Sequence, residues 1–460
     1  MATTPETPQT TERNAKLAGQ ASFIGSMVEY YDFYLYGSAA ALVFPRLFFP
    51  ASDPAMATLA SLTTFGAGYV VRPFAAALFG HFGDRISRKS MLVLTLFLMG
   101  VASFAVGLLP TYASIGIWAP IALTVLRLLQ GASAAGETAG AVSLSLEHAP
   151  EGRRAFFASW TPSGMLAGSA LATVVFLVFS MLPDDQFMSW GWRIPFMLSA
   201  CLVITGLVLR ARLPEPPTFE SAKSAVAEKD QKARLPIVTV LTRYPLAILR
   251  VVGLQLYSVL ATIGGVFALS YGTLNAGISA STMLSVKLVS TTAAVGVQIV
   301  GARYADRFGR KPVFVTGALI DMVAIFLLFG AIGVESVPLV FLGHFLVIAV
   351  GYALSNCVAY TMTAEMFDIN VRYTGIAVST QLAQVLTGFA PAIAASLVVA
   401  ADGGWIWVAT ACAGACLVSA LVVLLGVRET HRTASDQLGR KPVDSGTEPT
   451  TPAHAAAELT

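Results

Sequence analysis

What most limits this chain is a series of twelve long apolar segments divided by short polar or Pro/Gly breaks. An α-helix needs about 20 mostly apolar residues to cross the hydrocarbon core of a bilayer, and each segment reaches that length. Six lie at 20–43, 56–80, 90–109, 116–146, 155–182 and 192–211; six more lie at 244–272, 281–302, 312–332, 337–364, 372–400 and 403–427. Lipid offers backbone groups no hydrogen-bond partners, so such segments must satisfy their own as helices. The expected fold class is an all-α integral membrane protein with twelve transmembrane helices. Composition agrees: charged residues are 12% of the chain, against about 25% in a soluble domain. A net charge of +3 gives no ground for a nucleic-acid partner. Cys201, Cys357, Cys412 and Cys416 sit in apolar stretches without metal-ligand spacing and read as packing residues.

The polar remainder divides the chain. Residues 1–19 read as a polar N-terminal tail, 212–243 as a Lys/Glu/Pro-rich linker, and 428–460 as a disordered Thr/Pro/Ala tail. Two six-helix bundles, 20–211 and 244–427, lie between them. Alternate connections are basic: Arg85, Arg88 and Lys89; Arg153 and Arg154; the linker; Arg303, Arg307, Arg310 and Lys311; and Arg372. The other connections carry mostly acids, among them Asp53, Asp184, Asp185, Glu335 and Asp402. The positive-inside rule places the basic set, the linker and both termini in the cytoplasm.

An internal repeat supports the count. Asp84-Arg85-Ile86-Ser87-Arg88-Lys89 follows the second span, and Asp306-Arg307-Phe308-Gly309-Arg310-Lys311 follows the eighth (306 − 84 = 222). Glu147 precedes Arg154 by seven positions, and Glu365 precedes Arg372 by seven (365 − 147 = 218). Two unrelated motifs recurring at nearly one offset imply two pseudo-symmetric halves, the architecture of transporters with a site at the midplane. The sequence carries no Gly-Lys-Ser/Thr phosphate loop. Gly-rich stretches in spans 4, 5 and 11 read as close helix-packing surfaces. No enzyme signature is present, and no cofactor or metal is expected.

These motifs resemble the major facilitator superfamily, and within it the metabolite–proton symporter family. Gly80–Lys89 is similar to the superfamily's loop signature, with Ser87 where Gly is usual. Gly25–Phe33 resembles the symporter family's first helix, with Tyr30 in place of Trp. Arg127-Leu128-Leu129-Gln130-Gly131, Gly136-Glu137 and Trp190-Gly191-Trp192-Arg193-Ile194-Pro195-Phe196 follow in family order, Ala135 standing where Gly is common. The likeness covers about residues 20–430, and Ala39–Phe44, Phe79–Arg85 and Phe267–Tyr271 resemble the shikimate-type branch. The resemblance implies import of a small organic acid with protons, energised by the proton gradient, in the cell membrane, by a chain that works as a monomer in lipid. Alternatives are a betaine or proline symporter and a drug–proton antiporter. Residues 428–460 lack the heptads of osmosensing relatives, and span 5 lacks the antiporter Gly-Pro pattern.

An ionisable side chain at the centre of a membrane helix costs about 3 kcal/mol or more, so each one retained is a functional candidate. This chain retains Glu29, Asp32, Arg72, Arg127, Glu137, Lys287 and Asp321. Glu29 and Asp32 share a face and lie roughly 13–18 Å into the bilayer, level with Arg127. Glu137 and Arg72 fall in a layer about 15 Å nearer the cytoplasm. Paired carboxylates in low dielectric resist simultaneous ionisation, so Glu29 and Asp32, with Glu137 next, are the proton-coupling candidates. Arg127 carries a forked guanidinium suited to a substrate carboxylate, with Gln130 on the same face. Tyr31, Tyr34, Gln255, Lys287, Asn356, Gln381 and Gln384 complete the candidate substrate set. Structural readings stand beside these: an Arg127 ion pair, interhelical amide bonds and a snorkelling Lys287. The superfamily likeness further implies a cytoplasmic gate of Asp84, Arg85, Arg153, Arg154, Asp306, Arg307 and Arg372, in which, in the outward-facing state, Asp84 can pair with Arg153 or Arg154, and Asp306 with Arg372. The sequence assigns Asp321 and His344 no role.

Overall fold

A computed structural model describes residues 8–50, 53–76, 88–135, 137–147, 149–150, 152–212, 236–368, 371–433 and 438–439. Among them the regular structure is helical, and twelve membrane helices follow in order. The first half holds α1 (Pro8–Leu42), α2 (Pro54–Val70), α3 (Arg88–Leu108), α4 (Trp118–Ser133, continued by Glu137–Glu147), α5 (Arg154–Ser180) and α6 (Arg193–Arg212). The second holds α7 (Pro245–Leu274), α8 (Ala280–Phe308), α9 (Arg310–Gly333), α10 (Val337–Glu365), α11 (Arg372–Ala400) and α12 (Ile406–Gly426). Among the described residues, seven helices pass a length-and-apolarity test for a span on their own. An eighth, α6, passes when joined across a 41° bend to Asp184–Gly191. The remaining four carry polar residues, a break, or ends beyond the described residues.

Local chemistry explains several helix ends. Asp53 accepts the Ala55 N–H at 2.9 Å and Pro54 opens α2, while Ser279 accepts the Thr282 N–H at 3.2 Å and starts α8. Arg193 donates to the carbonyls of Gly107 (2.8 Å) and Leu109 (2.7 Å), capping α3 from the start of α6. Beside it the fully buried Trp192 meets Phe44, Phe48 and Phe196 edge-on. The Trp190–Phe196 motif therefore ties α6 to α3 and to the end of α1.

Within the first half α1 lies along α5, and Gly164 and Gly168 permit it: a Cβ at either would collide with the Phe23 or Met27 carbonyl oxygen of α1. The halves meet mainly through α2 against α11 and α5 against α8.

The observed elements depart from the expected ones at four places. α1 starts at Pro8, so 8–19 is helical rather than a tail. The fourth span is broken, with Ala134 and Ala135 in a turn among small residues that give a helix little side-chain packing. α7 and α10 contain non-α turns, a 3₁₀ turn at Gln255–Ser258 and π turns at Ile263–Phe267 and Phe345–Tyr352. Residues 428–433, assigned to a disordered tail, are packed on the protein. There the Arg310 and Lys311 N–H groups donate to Glu429 at 3.0 and 2.9 Å, which holds that segment at the start of α9. Burial alone would raise the Glu429 carboxyl, but the backbone donors of Lys311, Arg310 and His431 outweigh it and hold it below the usual range. Gly309, at φ 109°, makes the α8–α9 turn beside that carboxylate. Of the linker, 213–235 lies outside the described residues; Pro236–Arg243 is a short helix.

Candidate functional site

Both α1 acids are buried, each 2% exposed, but they point in different directions. Asp32 faces the hydroxyls of Ser103 on α3 and Ser199 on α6, inside the first half. Glu29 turns toward the second half, within electrostatic reach of Tyr69 on α2 and Tyr360 on α10. The two positions are only about 60° apart around the helix, so the acids diverge through their side chains and not through the winding of α1.

Arg127 is fully buried, and its fork is occupied. Nε and Nη2 both donate to the Phe65 carbonyl, at 3.3 and 3.2 Å, and Nη1 donates to Gln130 Oε1 at 3.3 Å. The rings of Phe33, Tyr36 and Phe65 surround it, 4.0–4.8 Å from Cζ. The expected ion pair with Asp32 is absent among the described residues. Arg127 reaches Asp32 through a relay: Gln130 Nε2 donates to Ser103 Oγ at 2.9 Å, and Ser103 faces the carboxylate. The aromatic enclosure directs the guanidinium inward, away from the interface where a substrate would sit. Tyr31 also turns away and donates to the Pro195 carbonyl of α6 at 3.0 Å.

The interface between halves is lined by Gln381, Gln384, Lys287 and Tyr34 of the predicted set, and by Arg72 and His344, to which the sequence assigned no substrate role. Arg72, 1% exposed, donates from Nη1 to Gln384 Oε1 of α11 at 2.9 Å. Gln381 Nε2 donates to the Ala135 carbonyl at 3.2 Å. Lys287, 2% exposed, does not snorkel; it donates to Ser38 Oγ of α1 at 3.2 Å and lies 5.4 Å from the Tyr34 ring. Tyr34 and Tyr30 lie 6.1 Å apart on one face of α1. His344 bonds the Gly264 carbonyl, in the π turn of α7, at 3.1 Å. Asn356 and Gln255 belong to the core of the second half: Asn356 accepts the Tyr257 hydroxyl at 2.8 Å, and Gln255 is 3% exposed. The side chain of Glu137 lies outside the described residues.

At the basic end a buried cluster joins the halves. Asp306 accepts the N–H groups of Ala155 and Phe156 at the start of α5, each at 2.9 Å. Glu365 lies 3.5 Å from Arg154 of the first half and 3.1 Å from Arg310 of the second, and accepts the Thr430 hydroxyl. Arg154 donates to the Thr430 and Thr433 carbonyls at 3.0 and 2.7 Å. Among the described residues Asp306 therefore pairs with Arg310, at 3.7 Å, and with the start of α5 rather than with Arg372, the partner expected from sequence. Arg372 instead donates to the Ala364 and Phe367 carbonyls at 3.2 and 3.4 Å. Arg153 and Arg307 are exposed and rest on phenylalanine rings. Asp84 and Arg85 lie outside the described residues.

Sequence reasoning missed Glu365, Arg310, Thr430, Ser103 and Tyr360 as site residues. Glu365 and Arg310 were visible in the repeats, but nothing in linear spacing shows that they meet.

A twelve-helix bundle in two halves, with buried ionisable groups along the seam and a charged clamp at one end, defines a secondary transporter. The comparisons with known proteins agree. Residues 19–235 match the family model "Sugar (and other) transporter" and residues 256–456 the model "Major Facilitator Superfamily". The chain is 40% identical to the shikimate transporter of Escherichia coli (strain K12), across 92% of this chain and 97% of that one. It is 31% identical to a proline/betaine transporter of Salmonella typhimurium, across 82% and 77%. Among solved structures, that of a D-xylose–proton symporter superposes with a TM-score of 0.68 at 19% identity, over 90% of this chain and 98% of that one. The chain belongs to the major facilitator superfamily: it is a multi-pass membrane transporter, not an enzyme.

Proposed function

We propose that this protein is a proton-coupled symporter importing a small carboxylate-bearing metabolite, shikimate-like or another organic acid, by alternating access. Lys287 carries the reading. Its ammonium is buried where the halves meet, and its one described hydrogen bond goes to the neutral hydroxyl of Ser38. No acidic side chain stands within ion-pair distance of it among the described residues. A buried cation without counter-charge is costly, and a substrate carboxylate would offset that cost. Asp32 and Glu29 are the proton carriers in this reading, and the proton gradient the energy source. The names of two relatives, one a shikimate and one a proline/betaine transporter, support a carboxylate in common. Betaines and proline, which also carry one, form the second reading.

Uptake of labelled shikimate, succinate and glycine betaine into proteoliposomes, with and without an inward proton gradient, tests this. Gradient-driven uptake of at least one supports it; uptake of none, or indifference to the gradient, overturns it. Lys287→Ala is expected to raise half-saturation for that carboxylate about 10- to 100-fold, the worth of one charge-assisted hydrogen bond.

The same reading puts both termini and the linker in the cytoplasm of a cell membrane, around a monomeric unit. Single cysteines at Ser224 and at Asp184, in a cysteine-free background, should then label from opposite faces. Labelling from one face would refute the topology.

A further inference from the structure

We propose that Arg72 of the α2 segment is a substrate-carboxylate clamp, an assignment that rests on the carboxylate reading above. Two sides of its guanidinium are already taken. The rings of Phe33 and Tyr69 lie 4.6 Å from Cζ, and Gln384 Oε1 of the opposite half accepts from Nη1 at 2.9 Å. Those rings meet each other edge-on at 4.8 Å, so they pack together on one side of the guanidinium. The edge opposite Nη1 is different. Nε and Nη2 are buried and make no hydrogen bond among the described residues. These two N–H groups lie parallel along one edge of the guanidinium, the edge that receives both oxygens of a carboxylate. The side chain is 1% exposed, so neither donor has bulk water as a partner.

Arg127 is the internal control. It too lies against aromatic rings, sharing Phe33 with Arg72, yet its corresponding edge is closed, because Nε and Nη2 both donate to the Phe65 carbonyl. Of the two arginines on this side of the seam, one has its fork consumed by the fold and the other has its fork held ready. No carboxylate is ion-paired with Arg72 among the described residues, although Glu29 lies within electrostatic reach of the same tyrosines, Tyr69 and Tyr360. Lys287, beside Tyr34, supplies a second positive charge. An ammonium is a point charge without planar geometry, so the fork of Arg72 is what selects a planar carboxylate. Because Gln384 belongs to the second half, the guanidinium that reads the substrate also joins the two halves.

The test uses full-length protein in liposomes and whichever of shikimate, succinate or glycine betaine the wild type takes up, beside the methyl ester of the same acid. Arg72→Lys keeps the charge and loses the fork. It should weaken binding of the acid about 10- to 100-fold while leaving competition by the ester unchanged. Arg72→Gln should bring the affinities for acid and ester together. Equal membrane insertion and a monodisperse detergent-solubilised peak for each arginine variant guard against misfolding. Wild-type protein that takes up none of the three overturns the carboxylate reading itself. Wild type that takes one up, with Arg72→Lys and Arg72→Gln binding it equally well, overturns the Arg72 assignment alone. So does an equal loss for acid and ester, which would make Arg72 a structural link between halves.

Discussion

Asp32→Asn is expected to abolish accumulation of substrate against its gradient while leaving exchange of substrate across the membrane largely intact. The carboxylate is 2% exposed and faces Ser103 and Ser199. Ser103 also accepts from Gln130, whose Oε1 accepts from Arg127, so each bond in the relay has a direction. An ionised Asp32 can only accept; a protonated one can donate. Neither Asp32 oxygen has a hydrogen-bond partner among the described residues, so binding or releasing a proton changes the charge that Ser103, at the end of the relay, faces. Asparagine keeps the shape of the acid but cannot change its charge, which holds the relay in one state. Proton-driven uptake then loses its energy source, worth about 2.3 kcal/mol per charge per 100 mV, or on the order of 50-fold accumulation. Glu29→Gln is expected to act similarly at the interface, where the acid lies close to Tyr360. Counterflow and pH-driven uptake separate the two functions. If both variants still accumulate substrate with wild-type pH dependence, the proton rides elsewhere, and Glu137 becomes the next residue to replace.

The second large effect is expected at the basic end. Glu365→Gln should nearly eliminate uptake by protein that still inserts and folds. The carboxylate lies between two arginines from opposite halves, and all three side chains are at most 3% exposed. Removing its charge leaves Arg154 and Arg310 facing one another with only the Asp306 carboxylate, 3.7 Å from Arg310, to offset them. Breaking a buried pair in this way costs about 3–5 kcal/mol. The contact exists only while the halves are closed at this end, so the cost falls on that form alone and shifts the population toward the open one by roughly 10²- to 10³-fold. A cysteine placed at Ser163, whose hydroxyl donates to Gln298 across the seam at 3.2 Å, reports the shift. Its reaction with a water-soluble thiol reagent should accelerate in the Glu365→Gln background. Unchanged labelling together with unchanged uptake would show that the cluster does not hold the closed form. Asp306→Asn should act in the same direction but more weakly, because asparagine can still accept the Ala155 and Phe156 N–H groups.

The sequence by itself determined how many times the chain crosses the membrane, that its motifs repeat, and which side chains had to be explained. Those properties follow from the length of apolar runs, from the repeat of Asp84–Lys89 at Asp306–Lys311, and from the cost of burying a charge. None of them needs knowledge of which helix face meets which. Partner choice was decided only in three dimensions. Arg127, the arginine that depth alone recommends, is enclosed by three rings and spends its fork on a carbonyl, whereas Arg72 keeps its fork open at the seam. Glu29 and Asp32 share a spacing but not a direction, and Asp306 crosses to the other half instead of pairing with Arg372. Linear spacing does not say which neighbouring helix a face meets, and the π turn in α10 also alters the winding of the residues beyond it, such as Asn356 and Glu365. Each extra residue in a π turn rotates the remainder of its helix by about 100°. Residue spacing fixes how deep a charge lies in the membrane, but the packing of one helix on another fixes what it can touch.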